Sequence, residues 1–431
     1  MEGVIMNGGS MTVRKSPPVM VIPESETPGG YYFLSCLDRD IPFPMLTIYS
    51  YRTGSETVAD VLKQSLAKVL LHYYPLAGTM SLDSRGRFVV ECTKNGVPFV
   101  EAVADGTVDS LGDLRVPNED TTRKLIYMDP KAKSYIELPL LTVQVTKFKC
   151  GGFTLGIAIS HTVVDGVSGM NFVNSWAEVA RGQTLSVVPF HDRTLLQARV
   201  PPAPKYPYDD FIDIKDVSDM ETQYKNEANI NKIFSFDAGK LAAIKKMAMA
   251  DGRLQACSTF SALSALVWKA RCKALNMKHA QLTKLRILVD VRSKFKEPLP
   301  KNYFGNLVVF TCCVTTAGEL SERPISYTVE QIRKACEQVD EEYVRSRMDY
   351  IDMYRPPLST VSTLVISSWA RLAYGTSDFG LGDPTQFGCG ALASELCVFQ
   401  PEGEKGIGVV MTLPESAMST FEDVIEQISD Q

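Results

Sequence analysis

The clearest pattern along the chain is an alternation. Val143 and Val145 are interleaved with Thr142, Gln144 and Thr146, the period of a strand with one buried face. Cys150-Gly151-Gly152 follows as a hairpin turn. The returning run puts Phe153, Leu155, Ile157 and Ile159 on one face and Thr154, Gly156, Ala158 and Ser160 on the other. That second face is small, so something is expected to pack closely against it. Elsewhere the period lengthens. Val58, Val61, Leu62, Leu66, Val69 and Leu70 recur at helical spacing, and Pro75 and Gly78 close the element. In the second half, Ser258 is placed to cap a helix running through Leu263, Leu266, Val267 and Ala270. Leu285, Ile287 and Val289 form a strand ending at Asp290-Val291-Arg292, and a further strand over 307–314 follows Tyr303-Phe304-Gly305-Asn306. Strands and helices in both halves predict two α/β domains with mixed sheets.

At 431 residues the chain exceeds what one ordinary core holds. Its character changes between Ser186 and Glu227, where Pro189, Pro201, Pro202, Pro204 and Pro207 precede Asp209, Asp210, Asp213, Asp216 and Asp219. Prolines exclude a central strand or helix there, and acidic residues are poor core material. An N-terminal domain over 1–185, a crossover linker over 186–227 with a solvated acidic face, and a C-terminal domain over 228–431 are expected. Composition narrows the class. Hydrophobic residues make up 45% and charged residues 22%, as in a soluble globular protein. No apolar run approaches ~18 residues, so no transmembrane span is expected, and the first twenty residues lack a secretory core. A net charge of -5 argues against a nucleic-acid partner. The ten cysteines are scattered and form no C-x-x-C pair, which suits reduced thiols in a cytoplasmic protein.

Candidate chemistry gathers at Ser160-His161-Thr162-Val163-Val164-Asp165-Gly166. The chain has four histidines, and this one stands where an apolar strand runs out. Gly166 and Gly169 allow a turn, and a helix through Met170, Val173, Ala177 and Ala180 follows, stopped by Gly182. Residues at such a strand end commonly face a cleft. A neutral imidazole there can take a proton from a substrate hydroxyl and return it. The spacing alone is weak: among 26 aspartates, one falls four residues after one of the histidines by chance roughly a quarter of the time. No metal is expected, because His72, His191 and His279 stand alone. No G-x-S-x-G elbow signals a serine triad. Asp165 need not touch His161. If it turns inward it requires a cation, and Arg292 is a plausible partner, which would make Asp165 a structural residue.

These residues carry a family resemblance. His161-Thr162-Val163-Val164-Asp165-Gly166 matches the H-x-x-x-D-G of the BAHD acyltransferases, and Asp378-Phe379-Gly380-Leu381-Gly382 resembles their D-F-G-W-G. Tyr303-Phe304-Gly305-Asn306, Tyr74-Pro75-Leu76-Ala77-Gly78 and Asp192-Arg193-Thr194 also match, in the family's order, over nearly the whole chain. The resemblance implies a two-domain chloramphenicol-acetyltransferase-like fold with an active-site channel between the domains, acyl-CoA as cosubstrate, no permanently bound cofactor, an alcohol acceptor and a monomeric state. It implies His161 as the general base and an Asp165–Arg292 ion pair. It further implies Thr259, Asp378, Gly380 and Gly382 on the coenzyme side and Arg371 on the acceptor's carboxylate.

Tyr32-Phe33-Leu34-Ser35-Cys36-Leu37-Asp38 and Val145-Thr146-Lys147-Phe148-Lys149-Cys150-Gly151-Gly152 resemble the branch that moves hydroxycinnamoyl groups to ω-hydroxy fatty acids and fatty alcohols in cutin and suberin synthesis. The shikimate and quinate hydroxycinnamoyl transferases are the runner-up. Leu381 departs from the family tryptophan and lacks its N–H donor. That departure keeps open a third reading, a non-catalytic partner in very-long-chain lipid elongation. A peptide-synthetase condensation module fits poorly, since Ser160 stands where those have a second histidine.

Overall fold

The computed structural model describes residues 11–372 and 374–429. In chain order, β1 (Val13–Lys15), β2 (Val19–Val21), β3 (Tyr31–Phe33), β4 (Pro44–Tyr51), α1 (Val58–Val69), β5 (Thr79–Leu82), β6 (Phe88–Glu91), β7 (Val97–Ala104), α2 (Glu119–Leu125), β8 (Leu141–Phe148), β9 (Phe153–Ser160) and α3 (Gly166–Ala180) make up the first half. The second half begins with α4 (Met220–Tyr224), β10 (Asn229–Phe236), α5 (Ala238–Met249), α6 (Thr259–Ala274), β11 (Leu282–Asp290) and β12 (Val308–Thr316). It continues with α7 (Ala317–Glu322), α8 (Ile325–Glu337), α9 (Glu341–Tyr354), β13 (Thr363–Ser368), β14 (Gln386–Cys389), β15 (Leu396–Glu402), β16 (Gly406–Pro414) and α10 (Glu415–Ser429). No described helix is long and apolar enough to cross a membrane.

Two compact units result. Unit 1 runs to Leu195 and adds Asn302–Asn306 and Leu372–Ala391; unit 2 holds Leu196–Lys301, Leu307–Arg371 and the chain from Leu392. By chain order the two added segments belong to the second half, but their hydrogen bonds place them in unit 1. Strand β14 pairs antiparallel with β4, with Phe387 opposite Tyr49. Tyr303 bridges to Phe190, and the Phe304 N–H donates to the Phe190 carbonyl at 2.9 Å. The crossover residues divide in the same way, 186–195 with unit 1 and 196–227 with unit 2.

The larger sheet of unit 1 has the order β1-β7-β8-β9-β4-β14, with β2 also on β7, and β3-β6-β5 form a second, three-stranded sheet. β7 and β8 are parallel, whereas β8 and β9 form the expected antiparallel hairpin with Val143 opposite Ile157. The sequence pattern predicts one wet face for β8. Instead Thr142, Gln144 and Thr146 are all buried, as is every residue of β9. The C-terminus of α2 is what covers the small face. Gln144 Nε2 donates to the Lys124 carbonyl at 2.7 Å and Thr142 Oγ1 to the Tyr127 carbonyl at 2.6 Å. Backbone carbonyls of α2's last turn and of Tyr127 just beyond it thus find partners on a buried strand face. Gly156 makes the approach possible, since a Cβ there would stand 2.0 Å from the Leu125 carbonyl oxygen. Gly156→Ala is therefore expected to destabilise unit 1 by roughly 1–3 kcal/mol or more through overpacking against backbone. Urea titration checks this; an unchanged midpoint would mean that α2 lifts freely from β9.

Unit 2 carries one six-stranded mixed sheet, order β10-β16-β15-β13-β11-β12, in which β13 lies parallel to both β11 and β15. Helix α6 begins as expected at Ser258, whose side chain accepts the Ser261 N–H. It is buried almost throughout, and Trp268 Nε1 donates to Thr283 Oγ1 on β11 at 3.1 Å. The acidic run behaves differently from a solvated face at one point. Asp209, Asp213 and Asp219 are exposed, but Asp210 is fully buried. Two guanidiniums draw it inward. Arg347 Nη1 and Nη2 lie 3.1 and 2.8 Å from its two oxygens, and Arg286 Nη2 lies at 3.3 Å. Its own backbone carbonyl, with those of Ile212 and Ser359, accepts the Lys284 ammonium. Unit 2 also has a half-open cavity of about 690 Å³ among α5, α6, α7 and α8, including Met247, Leu266 and Ile325. None of the candidate site residues lines it.

Candidate active site

His161 follows the last residue of β9 and lies within unit 1. Its backbone is held in a short turn. The His161 N–H donates to the Phe43 carbonyl at 2.9 Å, and the Val163 N–H to the Ser160 carbonyl at 3.1 Å. On the far side, the Tyr135 hydroxyl bonds both Ser160 Oγ and Thr162 Oγ1, the residues flanking the histidine. His161 is 7% exposed, and its ring meets the Phe43 ring edge-on at 5.1 Å; Phe43 itself is exposed.

The imidazole has a defined tautomer. Nδ1 lies 3.0 Å from Asn306 Oδ1. The amide orientation of Asn306 follows from its other end, where Nδ2 donates to Asp38 Oδ1 at 2.9 Å and to the His161 carbonyl at 2.7 Å. Both partners are acceptors only, so Oδ1 must face the ring and Nδ1 must carry the proton. Nε2 is then left with a lone pair. Burial pushes the imidazolium below its ordinary value of 6.5, against the opposing pull of its own backbone, Asp165, Asn306 and Asp38. The ring is a neutral base at physiological pH.

Behind Asn306 stands a buried ion pair. Asp38 accepts the Ser35 and Asn306 N–H groups, each at 2.8 Å, and pairs with Arg193. Arg193 also donates to the Tyr32 hydroxyl at 2.9 Å and to the Val163 carbonyl at 3.1 Å. Burial works against the charged guanidinium, but the charges and hydroxyls around it raise its pKa on balance. Asp38, Arg193 and Asn306 each stand in a stretch that carries the family resemblance. Nothing in local spacing says that the three meet at the histidine.

The remaining sequence-predicted residues fall as follows. Asp165 is buried and caps α3, accepting the Ser168 N–H at 2.9 Å. Arg292, in unit 2, lies 3.3 Å from Asp290. Asp378 closes its own loop. Its Oδ1 accepts the N–H groups of Gly380, Leu381 and Gly382 at 2.7, 3.0 and 2.8 Å, and both glycines have φ near +90°, where a side chain would strain the backbone. Phe379 meets Trp176 of α3 edge-on at 5.2 Å, so this loop is tied to the helix that follows the histidine. Leu381 keeps its place in the loop through its backbone N–H, without an indole. Thr259 is the first residue of α6, and Arg371 is exposed beyond β13 with no hydrogen bond or ion pair among the described residues. No three His, Cys, Asp or Glu side chains among the described residues converge as metal ligands would.

The fold is that of the chloramphenicol-acetyltransferase-like acyltransferases. Vinorine synthase superposes with a TM-score of 0.74 over 95% of this chain and 96% of its own, at 23% identity. Residues 11–428 match the Transferase family, and the chain belongs to that family, the BAHD acyl-CoA-dependent acyltransferases. It is 43% identical to an omega-hydroxypalmitate O-feruloyl transferase from Arabidopsis thaliana, over 97% of this chain and 93% of that one. It is 41% identical to a fatty alcohol:caffeoyl-CoA acyltransferase of the same plant, over 96% and 98%.

Proposed function

We propose that this enzyme moves a hydroxycinnamoyl group, feruloyl or a close relative, from coenzyme A to the hydroxyl of an ω-hydroxy fatty acid or fatty alcohol, with His161 as general base. The observation that carries the reading is the bare Nε2 of a neutral imidazole, on a residue 7% exposed, whose other nitrogen is committed to Asn306. Nε2 accepts the acceptor's hydroxyl proton as that oxygen attacks the thioester carbonyl. The tetrahedral intermediate collapses, and the proton on Nε2 passes to the departing thiolate of coenzyme A. No covalent enzyme intermediate is needed. Holding both substrates in register supplies a large share of the rate.

On the donor side, Gly380 and Gly382 bring loop backbone close to the coenzyme, and Asp378 acts by ordering that loop. Thr259 offers its hydroxyl at the N-terminus of α6, where unpaired N–H groups favour anionic ligands. Arg371, exposed beyond β13, is offered to the acceptor. Asp165 is a structural residue that caps α3. The protein is read as a cytoplasmic monomer serving cutin or suberin synthesis and holding no permanent cofactor. The names of the two relatives support the choice of acceptor, and the closed Asp378 loop supports catalysis despite Leu381. The test is a matrix of feruloyl-, caffeoyl- and coumaroyl-CoA against ω-hydroxypalmitate, long-chain alcohols, shikimate and quinate, following thiol release. Turnover is expected with the aliphatic acceptors; turnover confined to shikimate or quinate would overturn the acceptor assignment.

A further inference from the structure

We infer that Asp38 and Arg193 are positioning residues that, together with the His161 carbonyl, set which nitrogen of His161 carries the proton. The inference rests on His161 acting as the base. Its physical content is a directional chain. A carboxylate only accepts hydrogen bonds, so Asp38 admits only the donor end of the Asn306 side chain. The same oxygen accepts the Asn306 backbone N–H at 2.8 Å, which holds the residue as well as its amide. With the amide so oriented, Oδ1 faces Nδ1 and Nε2 is bare. A flipped amide would set its oxygen against the Asp38 carboxylate and the His161 carbonyl, and would offer Nδ1 a donor. The ring would then lose its preference for the catalytic tautomer. A wrong tautomer can disable an imidazole base whose geometry is otherwise intact.

Arg193 completes the device. A fully buried carboxylate needs a counter-charge, and Arg193 supplies it while its Nη2 bonds the Val163 carbonyl, two residues past the base. Asp38 and Arg193 touch neither ring nitrogen. They act through Asn306, and the positions are far apart in the chain: 155 residues separate Asp38 from Arg193 and 268 separate it from Asn306.

Removing one partner alone would bury an unpaired charge, so both are replaced together: Asp38→Leu with Arg193→Met, apolar side chains in place of the pair. The expected result is a folded protein in which kcat falls about tenfold to a hundredfold, the usual cost of losing an outer hydrogen-bonding partner, with KM little changed. The decisive readout does not depend on turnover. The ring-nitrogen NMR signals of His161, assigned by their loss in His161→Ala, should show Nδ1–H alone in the wild type and a share of Nε2–H in the double variant, where the His161 carbonyl alone still favours the donor end of the amide. A double variant that keeps the pure Nδ1–H form overturns the inference, and leaves the base assignment to stand or fall by the activity of His161→Ala. Should that double variant fail to fold, Asp38→Asn with Arg193→Gln serves, keeping hydrogen-bonding groups in the same space without a charge. An amide at position 38 can turn its donor toward Asn306, and the same gain of Nε2–H is expected.

Discussion

His161→Ala is expected to lower acyl transfer by a factor on the order of 10²–10⁴, the range that a positioned general base contributes, while acyl-CoA binding persists. The substitution removes the imidazole and leaves the surrounding backbone bonds in place, since Phe43 and Ser160 hold that turn through the main chain. A companion measurement follows from the direction of the pKa. Because burial depresses the imidazolium below 6.5, the base stays unprotonated at neutral pH. The acid limb of kcat/KM should therefore fall below pH 6.5, with activity lost on going down through it and level above. Near-wild-type turnover by His161→Ala would remove the base assignment, and an acid limb above pH 6.5 would contradict the burial argument.

The largest expected effect on stability lies elsewhere, at Asp210. Asp210→Ala is expected to cost about 3–5 kcal/mol, the range for breaking a buried ion pair from one side. Its carboxylate meets the guanidiniums of Arg347 and Arg286, and the ammonium of Lys284 lies on its backbone carbonyl. With the side chain gone, three cations would share a pocket from which that carboxylate is missing. The Arg286 guanidinium carbon lies over the Phe310 ring, 3.7 Å from its centroid, and cannot leave for solvent without giving up that contact. Chemical denaturation of the purified variant measures the loss. A change under about 1 kcal/mol would put Asp210 in the class of solvated surface pairs and would restore the wet reading of the acidic run.

Asp210 marks where local reasoning about this chain stops. Five aspartates behind five prolines look alike in sequence, and composition predicts the same exposed fate for all. Asp210 differs only because β11 and α9 bring Arg286 and Arg347 to it, over sequence separations of 76 and 137. Thr142 and Gln144 make the same point on the other unit. Their alternation with valines identifies a strand, but whether the polar face is wet depends on α2, about twenty residues away, finding Gly156 beneath it.

What the sequence determined by itself was everything set within a turn or two of the chain. The spacing of Val58 to Leu70 made a helix, Ser258 capped another, and a glycine-ended hairpin delivered His161 to the end of a strand ahead of α3. Those outcomes depend on neighbours that chain connectivity guarantees. The motifs at His161 and Asp378 also sufficed to name the family, because the residue types are themselves the signal. Only the tertiary structure decided the protonation pattern of the imidazole. That pattern is dictated by Asn306, 145 residues away, and by Asp38 behind it. A hydrogen bond has a direction, and direction is set by which groups meet in space; no spacing of letters along the chain records it.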